Sequence, residues 1–293
     1  LMLIGGTGCG KTNTFFHLVH QLKEQMDDAD VMIIFDTKGD YHSKFYNGET
    51  DVILSTAEKY RKDSFVWNIF SEILVDGARQ NVIAENISEI AYGLFSEAIS
   101  KNNSNPFFPN AARDLFASIL TCLYRKTGDS EDLKESYLNN RFLKKYLDSL
   151  NVRALRELLK NQPDQIAVMN YVGDGNNDQG LGVFAELQSV IRKIFVGAFA
   201  DKGNFSIRRF VRERKARTLF IEYDLTRGAT LTPIYKLLID LALKEAMCRS
   251  EGGRGNVYVF CDEFKLLPDL IHIENAVNFG RSLGLKDYKV LNR

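Results

Sequence analysis

The chain has no surplus of charge. Its 293 residues hold 38 lysines and arginines against 38 aspartates and glutamates, a formal net charge of zero. No global field therefore draws it to nucleic acid or to an anionic membrane, and any contact with DNA has to be local. Cysteine and histidine are scarce, with four of each. Cys9, Cys122, Cys248 and Cys261 show no short paired spacing, so no metal-ligand pattern is present and a reducing compartment fits best. No apolar run approaches the roughly 20 residues that cross a bilayer, and no signal peptide is visible, so the sequence reads as soluble. Internal repeats and low-complexity tracts are lacking too. The remainder, 45% hydrophobic and 26% charged, is the composition of a globular protein with room for one large α/β domain or two smaller ones.

What is present begins at the first residues. The apolar run Leu1 to Ile4 leads into Gly5-Gly6-Thr7-Gly8-Cys9-Gly10-Lys11-Thr12, a complete phosphate-binding loop at a strand end. Its glycines let the backbone turn tightly and aim successive N–H groups at phosphate oxygens, and the following helix adds its positive end. Lys11 is expected to neutralise the β and γ phosphates and Thr12 to place its hydroxyl on the bridging magnesium ion. The plainer alternative is a glycine-rich turn that happens to fit the pattern. The context favours the loop, because Thr12 to Met26 carries helical apolar spacing through Phe15, Leu18, Val19 and Leu22. Cys9 reads as a tolerated small side chain, since no histidine near it in sequence suggests activation.

Strands are predicted at Leu1–Ile4, Val31–Phe35, Asp51–Leu54, Thr218–Tyr223 and Asn256–Cys261, several of them continuous apolar runs suited to a buried parallel sheet. Their alternation with helices predicts a three-layer α/β nucleotide-binding domain over residues 1–80 and 204–293. Over 81–203 the strand signals vanish, and an all-helical insertion is expected. Its predicted helices are Asn81–Ser100, Asn110–Arg125, Glu131–Leu150 and Leu181–Phe199, with loops at 101–105, 127–130 and 173–180. The nucleotide-binding part looks trimmed at both ends, with a further strand expected beyond Arg293.

Asn256 to Glu263 is an apolar strand ending in two carboxylates. Asp262 is expected to hold the magnesium ion through its water shell and Glu263 to polarise the attacking water, which makes the chemistry hydrolysis. The competing reading is an acidic pair capping the helix that follows. Asp36-Thr37-Lys38-Gly39-Asp40 places three charged groups at the same sheet edge, either near the nucleotide or a subunit boundary, or as a charged turn that uses Gly39. The basic run Arg208 to Arg217 reads as a solvated helix face rather than a phosphate patch.

Together these residues resemble the cytosolic ATPase part of the type IV coupling proteins of conjugation and type IV secretion. The resemblance covers most of the chain. It is carried by residues 5–12 and 36–40, by Trp67-Asn68-Ile69-Phe70 with Glu72, and by Ala112-Arg113-Asp114-Leu115-Phe116. The stretch Phe205 to Phe210, Cys261-Asp262-Glu263-Phe264 with Leu266-Leu267-Pro268, and Gly280-Arg281-Ser282-Leu283-Gly284 complete it. The loop and acidic motifs occur in many motor ATPases, whereas the tryptophan motif and Gly-Arg-x-x-Gly are more discriminating. The resemblance implies a RecA-like P-loop NTPase core with an inserted all-α domain, using ATP and Mg2+. It further implies a homo-hexameric ring at the cytoplasmic face of the bacterial inner membrane, driving single-stranded DNA with its relaxase toward secretion-channel proteins. Arg281 would resemble the arginine finger that reaches a neighbour's γ-phosphate. Family members carry amino-terminal membrane helices, which this sequence lacks, and usually a glutamine after Gly284, whereas Lys286 to Arg293 has none. Two other readings stand beside this one: a protein-feeding secretion ATPase, and a nucleotide-gated docking module without appreciable turnover.

Overall fold

The computed structural model describes all residues except Thr7, Asn103, 174–177, 249–253 and Arg293. The chain opens with β1 (Met2–Gly5), α1 (Lys11–Gln25), β2 (Val31–Asp36), α2 (Asp40–Phe45) and β3 (Val52–Leu54). A helical stretch follows: α3 (Ile69–Ile73), α4 (Gln80–Lys101), α5 (Phe107–Thr127), α6 (Glu131–Tyr137), α7 (Asn140–Ser149), α8 (Val152–Lys160), α9 (Ile166–Met169) and α10 (Asp178–Ile194). It closes with α11 (Ile207–Glu213), β4 (Arg217–Glu222), α12 (Gly228–Met247), β5 (Val257–Cys261), α13 (Ile273–Phe279) and β6 (Leu285–Asn292).

The six strands pair in parallel in the order β1-β6-β5-β2-β4-β3. Every residue of β2 is buried, because helices cover both faces of the sheet. Strand alternation divides those residues between two cores. Met32 and Ile34 join Phe15 and Val19 of α1, with Phe220, Phe260 and Val290 from neighbouring strands. Phe35 lies on the opposite face, its ring centroid 5.6 Å from that of Tyr235 on α12. The result is a three-layer α/β core.

A sixth strand that is not among the predicted ones, β6, is inserted between β1 and β5. Its sequence is masked by charge, and the structure shows how that charge is accommodated. Lys289, nearly fully buried, sits 2.7 Å from Asp287 and 4.8 Å from the centre of the Phe264 ring.

The chain divides into two compact units, Leu1–Trp67 with Phe205–Arg293, and Asn68–Asn204. The second unit thus begins at Asn68 rather than at residue 81, and hydrogen bonds explain the difference. The Asn68 amide donates to the Leu138 carbonyl (3.0 Å), and the Ile69 N–H donates to Asn140 Oδ1 (3.0 Å). Asn140 also donates to the Phe199 carbonyl at 2.9 Å, tying the start of this unit to its end. Trp67, with no exposed surface, belongs to the first unit and bridges to Phe205, whose N–H donates to the Val66 carbonyl at 3.1 Å.

The single helix expected over Glu131–Leu150 is two. Asn139 accepts the Phe142 N–H at 2.9 Å, capping α7, and its amide donates to the Glu135 and Ser136 carbonyls that end α6. Part of the loop expected at 173–180 lies outside the described residues, and α10 already begins at Asp178.

Candidate functional site

The loop between β1 and α1 turns through Gly8 (φ 81°) and Gly10 (φ 87°), both in the left-handed region that favours glycine. Thr7 lies outside the described residues. Lys11 folds its ammonium onto the loop, donating to the carbonyls of Gly5 (2.8 Å) and Gly6 (2.7 Å), with Cys9 Sγ at 3.6 Å. Cys9 is exposed, and a Cβ on Gly5 would lie only 2.7 Å from its sulfur.

At the end of β5 stand Asp262 and Glu263. The hydroxyls of Thr12 and Tyr41 each donate to Asp262 Oδ1 at 3.4 Å. Burial raises the Asp262 pKa; Asp36 and Glu263 add to the shift, and Lys38 and the Tyr41 hydrogen bond oppose it. Glu263 starts only a single 3-10 turn, Phe264–Leu266, and its side chain makes no capping bond there. The capping reading of the acidic pair is therefore not what the structure shows. Lys11, Thr12, Lys38, Asp262 and Glu263 line one cleft of about 290 Å³, together with Gly8 and Gly10.

Asp36, fully buried, explains the turn beside this cleft. Its two carboxyl oxygens accept the N–H groups of Lys38 (3.1 Å), Gly39 (2.9 Å), Tyr41 (2.8 Å) and His42 (3.1 Å). Asp36 thus shapes the β2–α2 turn that presents Lys38 to the cleft and Tyr41 to Asp262. Sequence reasoning missed Tyr41, which lies one residue beyond the charged motif and shows its role only once β2 and β5 are adjacent.

The residues fit a nucleotide with magnesium. The loop supplies backbone turned by glycine, and Thr12 and Asp262 face each other at a distance that leaves both oxygens available to a hydrated ion. Among the described residues no cluster of three or more His, Cys, Asp or Glu could hold a metal ion by itself.

Arg281 is exposed in the turn between α13 and β6 and does not line the cleft of its own chain. The basic run is a solvated face only in part: Arg209, Arg212 and Lys215 are exposed, whereas Arg208 is buried. Arg208, 5% exposed, and Arg212 both bind the buried Glu245 of α12, at 3.1 and 2.6 Å. Arg214, Lys215 and Ala216 then take left-handed φ values of 58°, 66° and 53°, ending the helix before β4.

The family model for the DNA-binding domain of type IV secretion-system coupling proteins matches residues 1–286. The chain belongs to this coupling-protein family. The coupling protein TraD of Escherichia coli (strain K12) is 23% identical to it over 308 residues, an alignment that takes in 99% of this coupling-protein chain and 38% of TraD. The chain thus spans well under half of that relative. The unbound monoclinic form of the bacterial conjugative coupling protein TrwBdeltaN70 superposes with a TM-score of 0.75 at 20% identity, covering 99% of this chain and 61% of the other. The plasmid coupling protein TrwB in complex with ADP and Mg2+ gives 0.73, also at 20% identity, covering 99% and 63%. The fold of this coupling protein is accordingly that of a RecA-like P-loop NTPase core with an inserted helical unit.

Proposed function

We propose that this coupling protein binds and hydrolyses ATP with Mg2+ and uses the energy to drive single-stranded DNA, with its attached relaxase, into a type IV secretion channel. The observation that carries the reading is the Thr12–Asp262 contact, which joins the phosphate loop to the acidic strand end in one cleft across 250 residues of sequence. The complexes of TrwB with ADP and Mg2+ and with a non-hydrolysable ATP analogue, in the same fold, support it.

In this reading the backbone N–H groups of residues 5–10 and the Lys11 ammonium hold the β and γ phosphates, with Lys11 exchanging its loop carbonyls for phosphate oxygens. Bound at Thr12 and Asp262, Mg2+ would neutralise charge on the phosphate oxygens. Glu263 accepts a proton from the attacking water at the γ-phosphate. Arg281 acts in a neighbouring subunit's cleft, since it is exposed and outside its own, and the exposed apolar Val277 and Phe279 beside it suit a surface covered by another copy. A homo-hexameric ring would also concentrate the few DNA-facing cations of a chain with zero net charge. Among the described residues no helix is long and apolar enough to cross a membrane. The reading includes action at the cytoplasmic face of the inner membrane, beside secretion-channel proteins, and membership of the coupling-protein family supports it.

Replacing Glu263 with Gln tests the reading. ATP binding should persist while turnover falls by about 10² to 10⁴, the range for loss of a general base. Equal hydrolysis by both forms would remove Glu263 from that role.

A further inference from the structure

Lys38 has no place in the scheme above, yet the fold invests in its position. Buried Asp36 spends both carboxyl oxygens on the turn that carries it. Gly39 reaches φ 79° in that turn, where a Cβ would lie 2.7 Å from the Tyr60 hydroxyl. A larger residue there would disturb the same turn. The side chain of Lys38 is exposed within the cleft, where its charge acts on Asp262. A surface turn with no task would not need such bracing.

The strand order gives the ammonium its meaning. β1 and the phosphate loop lie on one side of β5, and β2 with its turn lies on the other. Lys11 and Lys38 therefore flank Asp262 and Glu263 from opposite sides. A nucleotide whose β-phosphate rests on the loop would extend its γ-phosphate toward Glu263, the side from which Lys38 approaches. A diphosphate would stop short of it.

We propose that Lys38 is a second phosphate-binding cation that engages the terminal phosphate of a nucleoside triphosphate and leaves a diphosphate untouched, so that the β2–α2 turn distinguishes the two. The inference rests on the nucleotide reading of this cleft. It also gives Asp36 a task, as the positioning residue that holds the turn in place.

Binding of ADP and of a non-hydrolysable ATP analogue, both with Mg2+, should be measured by calorimetry for the unaltered chain, Lys38→Ala, Lys38→Arg and Lys11→Ala. Lys38→Ala should weaken the analogue about 10- to 100-fold, the effect of losing one charged hydrogen bond, and leave ADP within about twofold by the same measure. Lys38→Arg should recover much of the loss. Lys11→Ala should weaken both ligands. Equal weakening of both ligands by Lys38→Ala, or no change in either, overturns the inference while the nucleotide reading survives. An unaltered chain that binds neither ligand overturns both.

Discussion

Asp36 and Glu222 end adjacent strands in register and are buried together. Asp36 is fully engaged by backbone N–H groups, whereas Glu222 Oε1 has no partner among the described residues. Burial, reinforced by the charge of Asp36, pushes the Glu222 pKa from 4.5 up to about 8, against the pull of Tyr60 and Lys59. Between those values the folded chain holds a proton that the unfolded chain has released, so stability falls as pH rises through the window. Replacing Glu222 with Gln removes this dependence. Urea unfolding at pH 6 and 8.5 should show the unaltered chain losing about 2 kcal/mol more than the variant between the two. An equal loss in both would place the proton elsewhere. The glycine-rich loop before α1 was legible in the sequence because its residues are contiguous. The bracing around it was not, since Tyr41 reaches Asp262, and Glu222 meets Asp36, only where the sheet brings their strands together.

Among the elements, α11 departs furthest from its appearance in the sequence. Its arginines look like a solvated stripe, but Glu245 lies one element away on α12 and pairs with both Arg208 and Arg212. No local pattern could reveal that partner. Because Arg208 and Glu245 are both nearly buried, Glu245→Ala removes the carboxylate that Arg208 and Arg212 share and should cost about 1–3 kcal/mol in urea unfolding. Arg209→Ala, at an exposed position of the same helix, should change stability by less than about 0.5 kcal/mol. Comparable losses would show that the pair does not secure α11. β6 escaped notice for a related reason, as its mid-strand lysine and aspartate neutralise each other in place. β2, β4 and β5 were plain because their runs are apolar almost throughout.

For the whole molecule, the proposed ring predicts that activity depends on assembly. ATP turnover per chain should rise steeply with protein concentration at low salt and rise further with single-stranded DNA. Mixing Arg281→Ala chains with Lys11→Ala chains should restore part of the activity, since some interfaces would then hold both intact residues. A turnover independent of concentration, or no rescue in demonstrably mixed assemblies, would count against a finger acting across subunits. The helical composition of the insertion could be read from sequence. Its starting point could not, because Asn68 declares its allegiance through a hydrogen bond to Leu138, distant along the chain.

The meeting of Trp67 with Phe205 bears on how the molecule acquires its fold. β3 pairs with β4 although the whole second unit separates them in sequence, a closure that is entropically costly for a disordered chain. Once that unit is folded, Asn140 links its beginning to its end, through Ile69 and Phe199, and the long excursion becomes a short tether. Completion of the sheet should then wait on the helices. In refolding experiments, burial of the lone tryptophan should lag behind the gain of helical signal, and Asn140→Ala should lengthen that lag.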